Sequence, residues 1–137
     1  MIQRILLAAD RSYHCRRAAA NTSELAAKLG AEVLVVHVQE WPAQVPASAW
    51  VASDEATQLV ETLRGHLEAD GVRARAEIRD ARRGHLAEEL LAAADAYGAD
   101  LISMGAKGES DIRALLLGSV AHKVLQLARC PVLVERR

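Results

Sequence analysis

The run EVLVVHV at residues 32–38 is the feature that most restricts the fold of this chain. Its apolar residues are nearly consecutive, so both faces of an extended strand would be apolar. A strand of this kind needs cover on both faces, which is typical of a central strand in a parallel sheet flanked by helices. The sequence therefore predicts an α/β fold built around residues 32–38.

Four further segments have the length and apolar content of strands, and amphipathic segments separate all five. The predicted strands are residues 2–9, 32–38, 72–79, 100–104 and 131–135. Residues 72–79 alternate apolar and charged side chains, which is typical of a half-exposed strand at a sheet edge. Five strands alternating with four helices predict a doubly wound parallel sheet in the order 3-2-1-4-5, with helices on both faces.

Capping residues mark the ends of the predicted helices. Ser12 and Ser53 are typical N-caps, while Gly30, Gly71 and Gly98 follow the last residue of an apolar stripe. The last helix is predicted over residues 119–128, and its buried face is predicted at positions 120, 124, 127 and 128.

Residues 39–52 interrupt this alternation of strands and helices. They contain two prolines, several small residues and both tryptophans, Trp41 and Trp50, which predicts an irregular surface segment. The tryptophans either pack this segment onto the domain, line a ligand site or join a subunit contact. The sequence leaves these alternatives open.

Length and charge exclude several classes of protein. The 137 residues carry a formal charge of −1 and predict one domain over residues 1–137. A near-neutral balance argues against nucleic-acid binding, and no apolar run reaches the roughly 18 residues that span a bilayer. The sequence therefore predicts a cytoplasmic protein with no nucleic-acid or membrane partner. Cys15 and Cys130 are far apart and the five histidines are scattered, so no metal site is predicted.

A glycine-rich segment follows the fourth predicted strand. It reads GAKG at residues 105–108, then nine residues, then GS at 118–119. Glycines let the backbone approach a ligand closely, and the N-terminus of the last helix favours an anion such as phosphate. Ligands of doubly wound sheets bind where the strand order reverses, which would place Asp10 and Gly105 at the site. From these residues alone, a structural role for the glycines and a phosphate-binding role both remain open.

The complete pattern, G-x2-G-x9-G-S, resembles the nucleotide-binding motif of the ATP-binding, single-domain universal stress proteins. The likeness extends to ILLAAD at residues 5–10, LVVHV at 34–38, ADLISMG at 99–105 and CPVLV at 130–134. The resemblance implies a Rossmann-like fold of the adenine nucleotide alpha hydrolase-like kind. It also implies that the chain binds ATP together with Mg²⁺ or Mn²⁺.

The resemblance further implies roles for particular residues. Val38 would contact adenine through its backbone. Ala9 and Asp10 would lie near the ribose and the phosphates, and Met104 and Gly105 would flank the nucleoside. The phosphates would be cradled by Gly108, Gly118, Ser119 and Val120. The residues themselves predict no catalytic group, since no Ser-His-Asp or Cys-His pairing can be argued from the sequence, and no metal ligand.

Three functions are compatible with these observations. The first is a stress or signalling protein in which ATP binding shifts a conformational or oligomeric equilibrium. The second is a slow ATPase, and the third is a dimeric interaction module that binds no nucleotide. The intact glycine motif favours the first two. The lack of a recognisable base and arginine finger, which phosphoryl transfer normally needs, favours the first over the second.

The resemblance and the last strand together predict the oligomeric state. Relatives resembling this chain commonly dimerise across their last strand, and the apolar outer edge of residues 132–134 invites pairing. We therefore expect a homodimer formed through the fifth strand.

Three cations near the motif stand outside the family pattern. Arg11 occupies a position where many relatives have Gly, and it either adds charge to the phosphate site or points into solvent. The second alternative is the expectation. Lys107 and Arg113 lie within the glycine motif, and both are expected to be ordinary exposed charges.

Overall fold

The computed structural model describes residues 1–42, 44–108 and 116–136, and these contain five strands and four α-helices in alternation. A short 3₁₀ helix, Ala47–Ala49, precedes the second α-helix. In chain order the elements are β1 (Arg4–Ala8), α1 (Tyr13–Leu29), β2 (Glu32–Trp41), α2 (Asp54–Ala69), β3 (Ala74–Arg82), α3 (Leu86–Tyr97), β4 (Leu101–Gly105), α4 (Ser119–Leu127) and β5 (Val132–Glu135).

All described strands form one parallel sheet in the order β3-β2-β1-β4-β5. This order confirms the prediction. β1 lies between β2 and β4, with Leu6 paired to Leu34 on one side and to Ile102 on the other. The order therefore reverses between β1 and β4, where their carboxyl ends leave a crevice.

Each face of the sheet is covered by two helices. Leu6 and Val36 point to the face covered by α3 and α4, while Ile5 and Val35 point to the face covered by α1 and α2. All four side chains are fully buried, as the alternation of side chains along a strand requires. In the described part of the chain, no helix is long and apolar enough to cross a membrane.

The predicted helix caps at Ser12, Ser53, Gly30 and Gly98 are confirmed. The hydroxyl of Ser12 accepts the amide of Cys15 at 3.1 Å, and Ser53 caps α2 in the same way. Gly30 and Gly98 have φ of 67° and 75°, in the left-handed region that favours glycine. The second helix ends slightly earlier than expected, at Ala69.

The main error in the predicted boundaries concerns the second and third strands. β2 extends to Trp41 rather than ending at Val38, and β3 covers Ala74–Arg82 rather than residues 72–79. The reason is their mutual pairing, which continues to Trp41 opposite Arg82. Residues 39–41 therefore belong to the sheet and not to an irregular segment.

The predicted buried face of the last helix is also partly wrong. Ala121 and Val124 are its buried residues, whereas Leu127 is 53% exposed. α4 packs mainly on α3 and only slightly on β5, which lies at the edge of the sheet. Leu127, in the final turn of α4, is therefore exposed although its apolar side chain predicted burial.

Candidate functional site

A cavity of about 580 Å³ opens at the carboxyl ends of β1, β2 and β4. We call it the switch-point cavity, because it lies where the strand order reverses. Its size lies within the range typical of small-molecule sites. Its walls come from the ends of these strands, the start of α3, the segment after β4 and the first turns of α4.

The structure brings the predicted site residues together. Those that line the switch-point cavity are Ala9, Asp10, Val38, Met104, Gly105, Gly108, Ser119 and Val120. Gly118 is buried directly beside it as the N-cap of α4. Arg113, which the sequence places within the same motif, lies outside the described residues.

The turn after β1 is held by its own hydrogen bonds. Ala9 donates its amide to the carbonyl of Val36 at 2.8 Å, and its own carbonyl accepts Nδ1–H of His37 at 2.7 Å. The carboxylate of Asp10 accepts the amide of Ser12 at 2.8 Å, which fixes the side chain at the start of α1. Asp10 therefore presents a carboxylate of defined position to the cavity.

Arg11 does not line the cavity, in agreement with its expected exposure. Its guanidinium forms an ion pair with the carboxylate of Glu55 at the start of α2, and both side chains are more than half exposed. The arginine that replaces the expected glycine thus connects two helix starts on the outer surface.

The end of β2 provides an open backbone edge. Glu32 and Val36 hydrogen-bond toward β1, while Val33 bonds toward β3. Because each residue of a parallel strand directs its N–H and C=O to the same side, Val38 and Glu40 also face the β1 side. β1 ends at Ala8, opposite Val36, so the backbone groups of Val38 and Glu40 face the cavity instead of a strand.

Gly105 is required by the packing of α1. A Cβ built on Gly105 would lie 2.6 Å from Cβ of His14 and 3.0 Å from the amide nitrogen of Cys15. Glycine thus lets the first turn of α1 approach the end of β4. This contact adds a structural reason to the ligand approach expected from the sequence.

The residue that follows β4 holds the start of α4 in place. Ala106 donates its amide to the carbonyl of Glu135 in β5 at 2.8 Å, and its carbonyl accepts the amide of Gly118. The first intrahelical bond of α4 runs from the amide of His122 to Gly118. The amides of residues 119–121 precede it and have no carbonyl partner within the helix, so they can bind an anion.

α3 forms a wall of the cavity that the sequence did not identify as part of the site. Leu86, Ala87 and Leu90 line it, and Gly84 lies at its rim. The carboxylate of Glu40 accepts the amide of Gly84 at 2.8 Å, which connects the end of β2 to the turn before α3. Leu86 and Leu90 have the spacing of one helix face, but nothing in the sequence shows that part of this face borders a ligand cavity.

Two lysines also line the cavity, Lys107 and Lys123. Lys107 is partly buried and borders the cavity, so the prediction that it is an ordinary exposed charge is wrong. Nζ of Lys123 lies 2.8 Å from a carboxylate oxygen of Glu88 in α3. Hydrogen bonds from Lys123 and His85 lower the pKa of Glu88, so this carboxyl is ionised at neutral pH.

The tryptophans of the predicted irregular segment do not line the switch-point cavity. Trp41 is 8% exposed, its indole N–H donates to Asp80 at 2.9 Å, and the guanidinium of Arg82 lies over its ring. For Trp41, packing is therefore the correct alternative. Among the described residues, no group of three or more His, Cys, Asp or Glu side chains could hold a metal ion.

Comparison with known proteins finds consistent similarity along the chain. A family model described as "Universal stress protein family" matches residues 1–136. A protein of Thermus aquaticus, described as "Universal stress protein in QAH/OAS sulfhydrylase 3'region", is 39% identical over 145 residues. That alignment covers 99% of this chain and 100% of the relative.

Solved structures share the fold. Protein MJ0577 of Methanocaldococcus jannaschii has a TM-score of 0.84 at 25% identity and covers 100% of this chain and 97% of its own. The universal stress protein from Archaeoglobus fulgidus in complex with dAMP has a TM-score of 0.71 at 21% identity, with 98% and 97% coverage. Two further structures, at 24% and 20% identity, are a universal stress protein with cAMP and one from Arabidopsis thaliana with AMP bound.

Proposed function

As the chain belongs to the universal stress protein family, we propose that it is a regulatory protein that binds an adenine nucleotide, ATP in particular, in the switch-point cavity. The observation that carries the proposal is that this cavity joins an open strand edge to an open helix N-terminus. The first suits a purine base and the second suits phosphates. Fold relatives that were solved with cAMP, dAMP and AMP support the choice of an adenine nucleotide.

The base would bind at the free edge of β2. The Watson–Crick edge of adenine has a ring-nitrogen acceptor beside an amino donor. The N–H and C=O of Val38, which face the same side of the strand, form the complementary pair. Guanine carries a ring N–H and a carbonyl at the corresponding positions, so it would place donor against donor and acceptor against acceptor. The backbone of Val38 would thereby select adenine over guanine.

Apolar side chains would enclose the nucleoside. Met104 is 5% exposed at the end of β4, and Leu86 and Leu90 lie on the α3 side of the cavity. A purine ring buries a large apolar face, and its transfer from water to such walls is favourable. Asp10 would lie near the ribose and the phosphates, as Ala9 would.

The phosphates would bind at the start of α4. The amides of Ser119 and Val120 belong to the first turn, where the helix dipole also favours negative charge. Gly108 lines the same cavity, and Gly118 holds the helix start through its bond to Ala106. These residues supply donors and a positive dipole without a carboxylate at the helix N-terminus.

A Mg²⁺ or Mn²⁺ ion would accompany ATP as part of the ligand. Such ions keep several water ligands and bind through phosphate oxygens together with one or two carboxylates. Asp10 is the carboxylate of the cavity nearest to this description, because it lies two residues after the end of β1 at the switch point. The residues present therefore fit a nucleotide-bound ion better than a dedicated metal site.

The proposal includes an assembly and a cellular location. β5 is an edge strand of the sheet, and Leu133 on it is 40% exposed. An uncovered edge strand with apolar side chains suits pairing with a second copy of the chain. We propose a homodimer through β5 in the cytoplasm, in which ATP binding shifts the conformation or the assembly.

The identity of the ligand is the most direct test. The purified protein is denatured, the released small molecules are identified by mass spectrometry, and the emptied protein is titrated calorimetrically with ATP, AMP and GTP. We expect an adenine nucleotide in the released fraction, measurable ATP binding and a rise in melting temperature with ATP. The absence of all three would overturn the proposal, and multiple turnovers of ATP would favour the slow ATPase instead.

A further inference from the structure

Lysine is rare in this chain, and two of its three lysines line the switch-point cavity. The chain contains Lys28, Lys107 and Lys123 against 14 arginines, and none of the arginines in the described segments lines the cavity. A lysine ammonium is a compact charge that binds phosphate oxygens without a fixed planar geometry. Lys107 and Lys123 are therefore candidates for binding an anionic ligand in the cavity.

Lys123 occupies a favourable place on α4. It lies four residues after Ser119 and three after Val120, so all three residues share one face of the helix. Helical side chains lean toward the N-terminus of their helix, so Lys123 extends over the turn that carries the free amides. Its side chain is 44% exposed and borders the cavity.

The ammonium of Lys123 already has a competing partner from α3. Its Nζ lies 2.8 Å from Oε1 of Glu88, and Oε2 of Glu88 lies 2.8 Å from Nδ1 of His85. Glu88 itself does not line the cavity, whereas Lys123 does. The ion pair therefore holds the ammonium group of Lys123 at the cavity wall. Glu88, which does not line the cavity, neutralises part of its charge.

We propose that Lys123 is a specificity-determining residue that binds the polyphosphate part of the nucleotide, and that Glu88 competes with the phosphates for its ammonium group. The inference rests on the proposed function and deepens it. Additional phosphates bring more negative charge to the ammonium, so Lys123 favours ATP over AMP. Glu88 weakens this preference, because the ion pair neutralises part of the ammonium charge and uses one of its three N–H donors.

A purely structural role for the pair makes the opposite prediction for one variant. If Lys123 and Glu88 only tie α3 to α4, removal of either side chain loosens the cavity and lowers nucleotide affinity. If Glu88 competes for Lys123, Glu88→Gln frees the ammonium and raises ATP affinity. The sign of the change in ATP affinity therefore separates the two roles.

The experiment measures ATP and AMP dissociation constants for the full chain and five variants by calorimetry. We expect Lys123→Met to weaken ATP binding roughly ten-fold and AMP binding much less. Lys123→Arg should restore most of the ATP preference. Glu88→Gln should strengthen ATP binding by a few-fold, and this gain should disappear when Lys123→Met is present. Lys28→Met is the matched control, since it removes the same charge from the outer face of α1.

The outcomes distinguish the inference from the function on which it rests. If the unmodified chain binds no adenine nucleotide, the proposed function fails. If the chain binds ATP but Lys123→Met lowers ATP and AMP affinity equally, Lys123 does not distinguish the two nucleotides by their phosphates. The same conclusion holds if Lys123→Met lowers ATP affinity no more than Lys28→Met does. Weaker ATP binding by Glu88→Gln would assign the pair to structure alone. Melting temperatures without nucleotide show whether each variant is folded.

Discussion

The amide of Gly118 donates a hydrogen bond of 2.6 Å to the carbonyl of Ala106. This bond connects Gly118, the residue before α4, to Ala106, the residue after β4. The amide of Ala106 in turn bonds to the end of β5. The N-terminus of α4 is therefore positioned by backbone contacts with the sheet. This positioning keeps the three unpaired amides at the cavity whichever side chains occupy the helix start.

The role of these amides can be tested at Ser119. Replacement by proline removes one amide and the hydroxyl, whereas Ser119→Ala removes the hydroxyl alone. Proline is favoured at the first helical position, and Gly118 before it has φ −70° and ψ 163°, which a residue before proline adopts readily. We expect Ser119→Pro to weaken ATP binding by about ten-fold or more and Ser119→Ala by less, as measured by calorimetry. Equal affinity of the unmodified chain and Ser119→Pro would contradict the phosphate assignment.

The contact between Gly105 and α1 predicts a large effect on stability. Gly105→Ala places a methyl group within 3 Å of the backbone of His14, so we expect a loss of about 1–3 kcal/mol in the free energy of unfolding. Gly65→Ala is the control, because Gly65 lies in α2 with no atom near its missing side chain. It should gain about 0.5–1 kcal/mol from better helix propensity. Urea denaturation measures both, and similar values for the two variants would refute the packing argument.

Asp100 couples stability to pH. Its carboxylate accepts the amides of Gln3 at 2.8 Å and Arg4 at 2.9 Å, and these bonds lower its pKa in the folded chain. A lowered folded pKa adds stability above the unfolded value of about 3.9, and this stability is lost as the pH falls through the folded pKa. Asp100→Asn should therefore be less stable at pH 7, and the difference should shrink as the pH approaches 3. Urea titrations at several pH values test this, and a difference that stays constant with pH would count against it.

The exposed edge of β5 predicts the site of dimerisation. Leu133→Lys introduces a charge on the outer strand, where its side chain is 40% exposed in the single chain. We expect the unmodified chain to have the mass of a dimer at micromolar concentration and Leu133→Lys that of a monomer, as measured by light scattering after size exclusion. Val51→Lys is the control, because Val51 is 76% exposed and precedes α2 on another part of the surface. A dimer that survives Leu133→Lys would place the interface elsewhere.

Much of the fold followed from local patterns. The continuous apolar run at residues 32–38 predicted a strand covered on both faces, and Val35 and Val36 are indeed fully buried on opposite faces. Ser12 and Gly30 predicted the ends of α1 because capping depends on the backbone of a single turn. These features depend on neighbouring residues, and the sequence alone determined them. The alternation of strands and helices then restricted the topology to the order that the sheet has.

The tertiary structure decided how distant segments meet. The sequence placed Val38 at the end of a strand, but the open edge at Val38 and Glu40 exists because β1 stops earlier than β2 and β3. Likewise, neither Gly105 nor Lys123 has a neighbour in sequence that reveals its contact with α1 or with Glu88. A periodic pattern records how exposed each side chain is along its own element. The relative ends of strands and the ion pair between two helices depend on the packing of several elements together, which no single segment encodes.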